Sequence, residues 1–419
     1  MSGTERLPPL RPLEVSPFRN ARNELYFALR DLTQVAPHPL AVSLPGYFVL
    51  SQLDGQRTCR DIQLAFLRQF GQLITTEQIQ QVVQALDQAL MLDSAAYHAA
   101  YAKLEAEYLA SQTRDSRGRY PDADLLRAEI EALLARGSAQ ALPSAAELGD
   151  VCGIIAPHLD YQRGGPCYAD AYAALARAAP AERYVILGTN HFGRSSTVVA
   201  TGKDFSTPLG QVATDQAFIR RLEAALGTSI CRHEFDHNAE HSVELQVHIL
   251  QVLHGSTGRF RIVPILCPDP CDPGRSTAPD GAGPGLTDFA DALGRLVARD
   301  RRRTVLIAGA DLSHVGQHFG DPGPTTRAFL RQIARADRHL LRLLEARREE
   351  EFVAMLRASQ NPTRICSAGC IYALLRALPD RPCRVLRYHQ AVCMEAETHV
   401  TCMAAVVGAG SSRPAGDGR

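Results

Sequence analysis

Three apolar runs in this 419-residue chain each stop at residues able to bind a metal or move a proton. Gly153–Ala156 gives way to Pro157 and His158. Tyr184–Gly188 gives way to Thr189, Asn190 and His191. Thr304–Ala310 gives way to Asp311, Leu312, Ser313 and His314. Short apolar runs of this kind read as buried strands, and open α/β sheets place their ligand crevices beyond the carboxyl ends of the strands. Neutral imidazole is the commonest metal ligand, so His158 and His191 at adjacent strand ends can share one ion. Asp311 can ligate the same ion, orient a histidine or cap the next turn, and His314 can reach the same crevice.

A second concentration lies at 233–248, which contains His233, His237, His241 and His248. A helix starting near Glu240 would put His241, Glu244 and His248 on one face, as a proton-transfer pair or as support for ligands. The spacing is not that of a zincin, and His233 and His237 read as solvated loop residues. Cys366 stands at the start of a predicted helix, where the positive end of the dipole favours a thiolate. It can be a soft metal ligand, a nucleophile paired with His158 or His191, or a buried structural thiol.

The elements that must hold these groups alternate. Strands are predicted at 152–156, 184–188, 261–266, 304–309 and 401–407. Helices are predicted at 167–178, 214–226, 241–253, 287–299, 325–346 and 365–378. This is an α/β pattern. Gly164 and Gly165 read as a bend before the first of these helices.

The chain is long enough for two domains. Lys plus Arg equals Asp plus Glu, 45 against 45, which gives no general attraction to nucleic acid or anionic membrane. Eleven cysteines without a tight framework suit a reducing compartment. No apolar run approaches membrane-spanning length, and Met1–Arg6 lacks the apolar core of a signal peptide, so the expected location is cytoplasmic.

Residues 1–20 read as a flexible lead-in and 21–95 as a small, mainly helical winged-helix-like module. In the module Thr58 and Thr75 or Thr76 are placed to cap two helices, and Gly71 to end the first. From Ser51 to Asp93 there are three arginines, no lysine and five acids, which lacks the basic footprint of a DNA reader. Residues 96–114 read as a connecting helix and linker, 115–410 as the α/β domain and 411–419 as a disordered tail.

Two resemblances follow from these residues. Gly46–Thr58 with the two helices and Leu90–Leu92 resembles the PqqD-like peptide-recognition modules. Ile155–His158 with Tyr161 and Pro166, Leu187–His191, Glu240–Glu244, Asp311–His314 and Arg364–Cys366 occur in the order seen in the Memo family, whose microbial members are called AmmeMemoRadiSam system protein B. That family is similar in fold to the class III extradiol ring-cleaving dioxygenases. The resemblance implies a central sheet flanked by helices and a metal site of His158, His191 and Cys366, where the dioxygenases use two histidines and a glutamate. It implies ferrous iron, with copper as the other ion suited to a thiolate site. It places Asp311, His241 and His314 among the polar residues lining that cleft; these three, with Glu244 from its helical spacing, are the catalytic candidates. It also implies a radical-SAM protein and an AMMECR-type protein as partners, and a small-molecule or peptide ligand. Two functions from different classes follow: a dioxygenase-like oxidoreductase, or a non-catalytic metal- or peptide-binding adaptor that recruits a partner through the N-terminal module. Ser367 follows Cys366 where the family commonly has glycine.

Overall fold

The computed structural model describes residues 5–116, 120–138, 150–255, 260–271 and 283–408. They fall into two compact units, Met1–Ser111 and Gln112–Arg419. The tail predicted at 411–419 lies outside the described residues.

The first unit has an antiparallel three-stranded sheet in the order β1 (Glu14–Arg19), β2 (Leu25–Arg30), β3 (Leu40–Ser43). The helices Leu44–Ser51, Cys59–Phe70, Thr76–Gln88 and Ala95–Ala110 follow. Thr58 and Thr75 cap the second and third through reciprocal capping boxes with Asp61 and Gln78. Gly71 closes the second helix in the left-handed region at φ 67°. Ile62, Phe66, Ile79, Val83 and Leu86 pack with Leu7, Leu29 and Leu50 into one core. The reading of 1–20 as a lead-in is therefore corrected for the described part. Leu7 is buried, Glu14–Arg19 is a sheet strand, and the Arg11 guanidinium is buried against Asp31.

The second unit is built on an eight-stranded mixed sheet. A short strand β4 (Thr113–Asp115) opens the unit and pairs outside this sheet with β8 (Asp204–Thr207), which also pairs with β9 (Gly210–Val212). The central strands are β5 (Val151–Ala156), β6 (Arg183–Thr189), β10 (Arg261–Cys267) and β11 (Thr304–Gly309), all parallel in the order β5-β11-β6-β10. Antiparallel strands complete it: β7 (Val199–Ala200), β12 (Asp311–Val315), β13 (Cys383–Cys393) and β14 (Thr398–Gly408). The predicted strands at 152–156, 184–188, 261–266, 304–309 and 401–407 all lie in this sheet; β7, β12 and β13 were not foreseen.

Residues alternate between two cores along each central strand. Ile155, Val185, Leu187 and Leu306 face one helical layer; Ile154, Ala156, Ile186 and Ile307 face the other. A sheet buried on both faces explains the unbroken apolar runs. Several helices begin or divide differently from the prediction. Asp160 caps Tyr161–Arg177 through the Arg163 N–H, and that helix runs through Gly164, Gly165 and Pro166 rather than starting after them. The predicted 325–346 helix is Arg327–Glu345, followed by a separate helix Glu349–Ala358. The segment 365–378 is helical only over Ala368–Ala377, which leaves Cys366 in the preceding turn.

The stretch read as linker is split in the same way. Ala95–Ala110 is a helix of the first unit, but Thr113–Asp115 is a paired strand of the second. Three residues carry too little periodicity to announce a strand. Among the described residues, no helix is long and apolar enough to cross a membrane.

Candidate metal centre

Strand order brings the three run-end motifs together. β11 lies between β5 and β6, so Asp311 emerges between His158 and His191. Two glycines permit the fourth element to join them. A methyl group at Gly188 would sit 2.5 Å from the Ser242 hydroxyl, and one at Gly309 would sit 2.7 Å from the Ser242 carbonyl oxygen. Without side chains there, the turn at 240–243 rests directly on the strand ends and presents Glu240 and His241 to His191.

The nearest donors are His158, His191 and Cys366, whose ligand atoms all lie within 4.8 Å of one another. The Cys366 Sγ is 3.4 Å from the His158 Nε2. Two donors on one tetrahedral first-row ion sit about 3.5 Å apart, so this spacing fits a shared cation. Each histidine is oriented by its other nitrogen. His158 Nδ1 lies 2.9 Å from the Gly309 carbonyl oxygen, and His191 Nδ1 lies 3.1 Å from both Glu240 carboxylate oxygens. An N–H donated from Nδ1 leaves the Nε2 lone pair for a metal, the usual arrangement of ligating histidines. The donor set therefore fits a soft-to-borderline transition-metal ion.

The electrostatics agree with the geometry. Burial opposes ionisation of Cys366, but the charges of His158 and His314 and hydrogen bonds from His158 and His191 outweigh it, and the thiol is held well below its ordinary value. Burial disfavours a charged His158, yet Asp311 and Cys366 raise it to about 9. His191 is likewise pushed well up, against its burial, by Glu240 and Cys366. A cation at this point would replace protons that the cluster otherwise retains.

Two buried carboxylates flank the cluster. Asp311 accepts the His158 backbone N–H at 3.2 Å, and its other oxygen stands 3.4 Å from His158 Nε2. Burial and the nearby Cys366 keep it above the usual carboxylate range. Glu240 accepts backbone N–H groups from His191, His241 and Ser242 at 3.0, 2.8 and 2.9 Å. Despite burial, His191, His241 and these donors hold it well below that range.

His241 stacks on His191 with ring centroids 5.2 Å apart and planes 13° apart. Phe192 lies beside both rings. His314 hydrogen-bonds the Leu312 carbonyl oxygen through Nδ1 at 3.0 Å. In a regular strand, residues 311 and 314 would face opposite ways. A register shift in the β12–β14 pairing sets Asp311 against Cys402 but His314 against Val400, which restores a common face. Cys366 is held by a turn with three non-glycine residues in the left-handed region: Gln360, Asn361 and Arg364, at φ 60°, 45° and 56°. The Arg364 guanidinium ties that turn to the His314 carbonyl oxygen and to Asp321. Ser367 needs no glycine-like backbone, with φ −104°. Its hydroxyl instead accepts the Asp311 N–H at 3.0 Å and contacts Thr189 at 3.2 Å.

The predicted face of His241, Glu244 and His248 is formed only in part: Glu244 and His248 lie one helical turn apart, with His248 Nε2 3.8 Å from a Glu244 carboxylate oxygen. The helix begins at Glu244, so His241 stays in the turn beside the candidate donors. The other Glu244 oxygen enters a buried ion pair with Arg114, and His248 Nδ1 contacts the Tyr161 hydroxyl at 3.3 Å. His237 is not solvated: it is 1% exposed, with Nε2 3.2 Å from the Val199 carbonyl oxygen, and burial lowers it to about 3. Sequence reasoning missed Glu240 and Arg114 as working residues. An acid directly before His241 was the available signal for the first; nothing in the sequence marked the second.

A family model described as Memo-like protein matches residues 120–410. A MEMO1 family protein of Aquifex aeolicus is 25% identical over 361 residues, covering 84% of this chain and 87% of that protein. One from Thermus thermophilus is 28% identical over 344 residues, covering 79% and 93%. A solved structure, an uncharacterized protein from Escherichia coli K12, aligns with a TM-score of 0.36 at 17% identity, covering 61% of this chain and 98% of that one.

Proposed function

Because the chain belongs to the Memo-like protein family, we propose that His158, His191 and Cys366 hold one ferrous ion in a non-haem oxidoreductase related to the extradiol dioxygenases. One observation carries this reading. Three donors from separate strand ends and a strained turn converge within 4.8 Å, and each imidazole is already oriented by its second nitrogen. Bound iron would supply redox chemistry toward oxygen; copper suits the same donors.

The chain's own groups have distinct tasks. Gly309 and Glu240 fix the two imidazole planes. The Cys366 thiolate offsets cationic charge where the dioxygenases use a glutamate. Asp311 stands close enough to His158 to serve as a further oxygen ligand or as its partner. His241 and His314, both half-buried, are placed to take a proton from the hydroxyl of a small phenolic or other polar substrate.

Anaerobically purified protein should contain about one iron per chain, and His158→Ala should lose at least nine-tenths of it, as expected when one ligand of three is removed. Iron-free wild type with full cellular activity overturns the assignment. A second reading rests on the first unit's separate core. There the protein is an adaptor, and this unit recruits a radical-SAM or AMMECR-type protein or a peptide. Loss of a purified radical-SAM partner on deleting residues 1–111, with iron retained, would favour it.

A further inference from the structure

We infer that Arg114 is a positioning residue of the metal centre, acting through the main chain of residues 237–240 on His191; this rests on the metal-binding reading above.

Arg114 lies on β4 and is 3% exposed. Its guanidinium pairs with Glu244, which is equally buried. It also donates to two carbonyl oxygens, from Nε to His237 at 3.2 Å and from a terminal nitrogen to Glu240 at 2.5 Å. One planar cation thus holds both ends of a four-residue segment. The side chain at the far end of that segment is the carboxylate that orients His191. Arginine's rigid fork suits this task, whereas a lysine ammonium is a single point charge.

The strand carrying Arg114 is itself fixed. The Asp204 N–H bonds the Gln112 carbonyl oxygen at 3.3 Å, the Ser116 N–H bonds that of Ser206 at 2.9 Å, and the guanidinium lies over the Phe205 ring at 5.2 Å. The guanidinium therefore cannot follow the 237–240 segment if that segment moves. Removing it frees the Glu240 carbonyl oxygen, and the carboxylate loses its fixed starting point. His191 Nδ1 then has a mobile acceptor. Groups that orient ligating histidines typically control metal affinity by about 10- to 100-fold.

The experiment uses the full chain with Arg114→Met, Arg114→Lys and Glu244→Gln, titrated with cobalt(II) as the probe. Arg114→Met should weaken cobalt binding at least tenfold and shift the thiolate–cobalt absorption, and Arg114→Lys should fall between it and wild type. Glu244→Gln keeps both carbonyl contacts, so it should lower the melting midpoint but change cobalt affinity less than threefold. Wild-type affinity and spectrum in Arg114→Met overturn the inference, as does an equal affinity loss in Glu244→Gln. Should Arg114→Met not fold, Arg114→Lys decides: wild-type affinity there overturns it. If wild type takes up no metal, the metal reading itself fails. The positioning claim then stands or falls on the ¹⁵N spectrum of His191, whose Nδ1 proton should lose its held signature in Arg114→Lys.

Discussion

The two flanks of the candidate metal cleft carry equally buried carboxylates that behave in opposite ways. Glu240 receives three backbone N–H groups and the His191 ring, and it stays ionised far below the ordinary range. Asp311 receives the His158 N–H, faces the Cys366 sulfur, and is pushed upward. Burial opposes ionisation in both; the His191 and His241 charges and three backbone N–H donors outweigh it at Glu240, whereas at Asp311 the His158 and His314 charges and one N–H donor do not, and Cys366 adds to the burial. The Glu240 flank is a permanent anion and a mechanical anchor. The Asp311 flank holds its charge at a cost, which suits a group that meets a cation or exchanges a proton.

Substitutions on the two flanks should separate these roles. The largest effect is expected from Glu240→Gln, which sets an amide among donors. It should weaken iron or cobalt binding by about 10- to 100-fold and cost about 3 kcal/mol of unfolding free energy in urea titration. Retention of both properties would erase the distinction between the flanks. Chelation comes next. Protein loaded at a hundred times Kd should lose about 2.7 kcal/mol of stability when metal is removed. That difference should shrink in Glu240→Gln and persist in Asp311→Asn, as calorimetry with and without chelator would reveal. Asp311→Asn should leave the metal-free fold within about 1 kcal/mol of wild type, because the charge it removes was disfavoured. Its oxygen consumption should nonetheless fall by about tenfold or more; a large loss of metal-free stability would make Asp311 another anchor. His241→Ala is the mildest case. Iron stoichiometry should hold, and only turnover should slow, by severalfold.

Much of this cleft was legible in the sequence because strand ends are. The apolar runs before His158, His191 and Asp311 can be satisfied only inside a two-sided layer, and their carboxyl ends then meet in one crevice. Thr58, Gly71 and Thr75 announced their helix termini through local hydrogen bonding, which needs no tertiary information. What escaped depends on contacts between distant segments. His241 leaves the predicted helix because the turn holding it is fixed by Glu240, Gly188 and Gly309 rather than by helical periodicity. The register shift that turns His314 toward Asp311 depends on pairing with β14, 88 positions away at its Ser313–Thr401 contact. Glu244 looked like a proton-transfer group until its partner, more than a hundred residues upstream, was in place.

The arginine on β4 bears on where this molecule can be divided. It precedes residue 120, where the family match begins, yet it belongs to the second compact unit, which starts at Gln112. A shortened chain cut to the family span would keep all eight strands of the main sheet and all three candidate metal donors. It would also leave the Glu244 carboxylate facing an empty slot. Severing at Ser111 preserves what severing at residue 119 destroys, so an inert fragment of the shorter kind would say nothing about the intact protein.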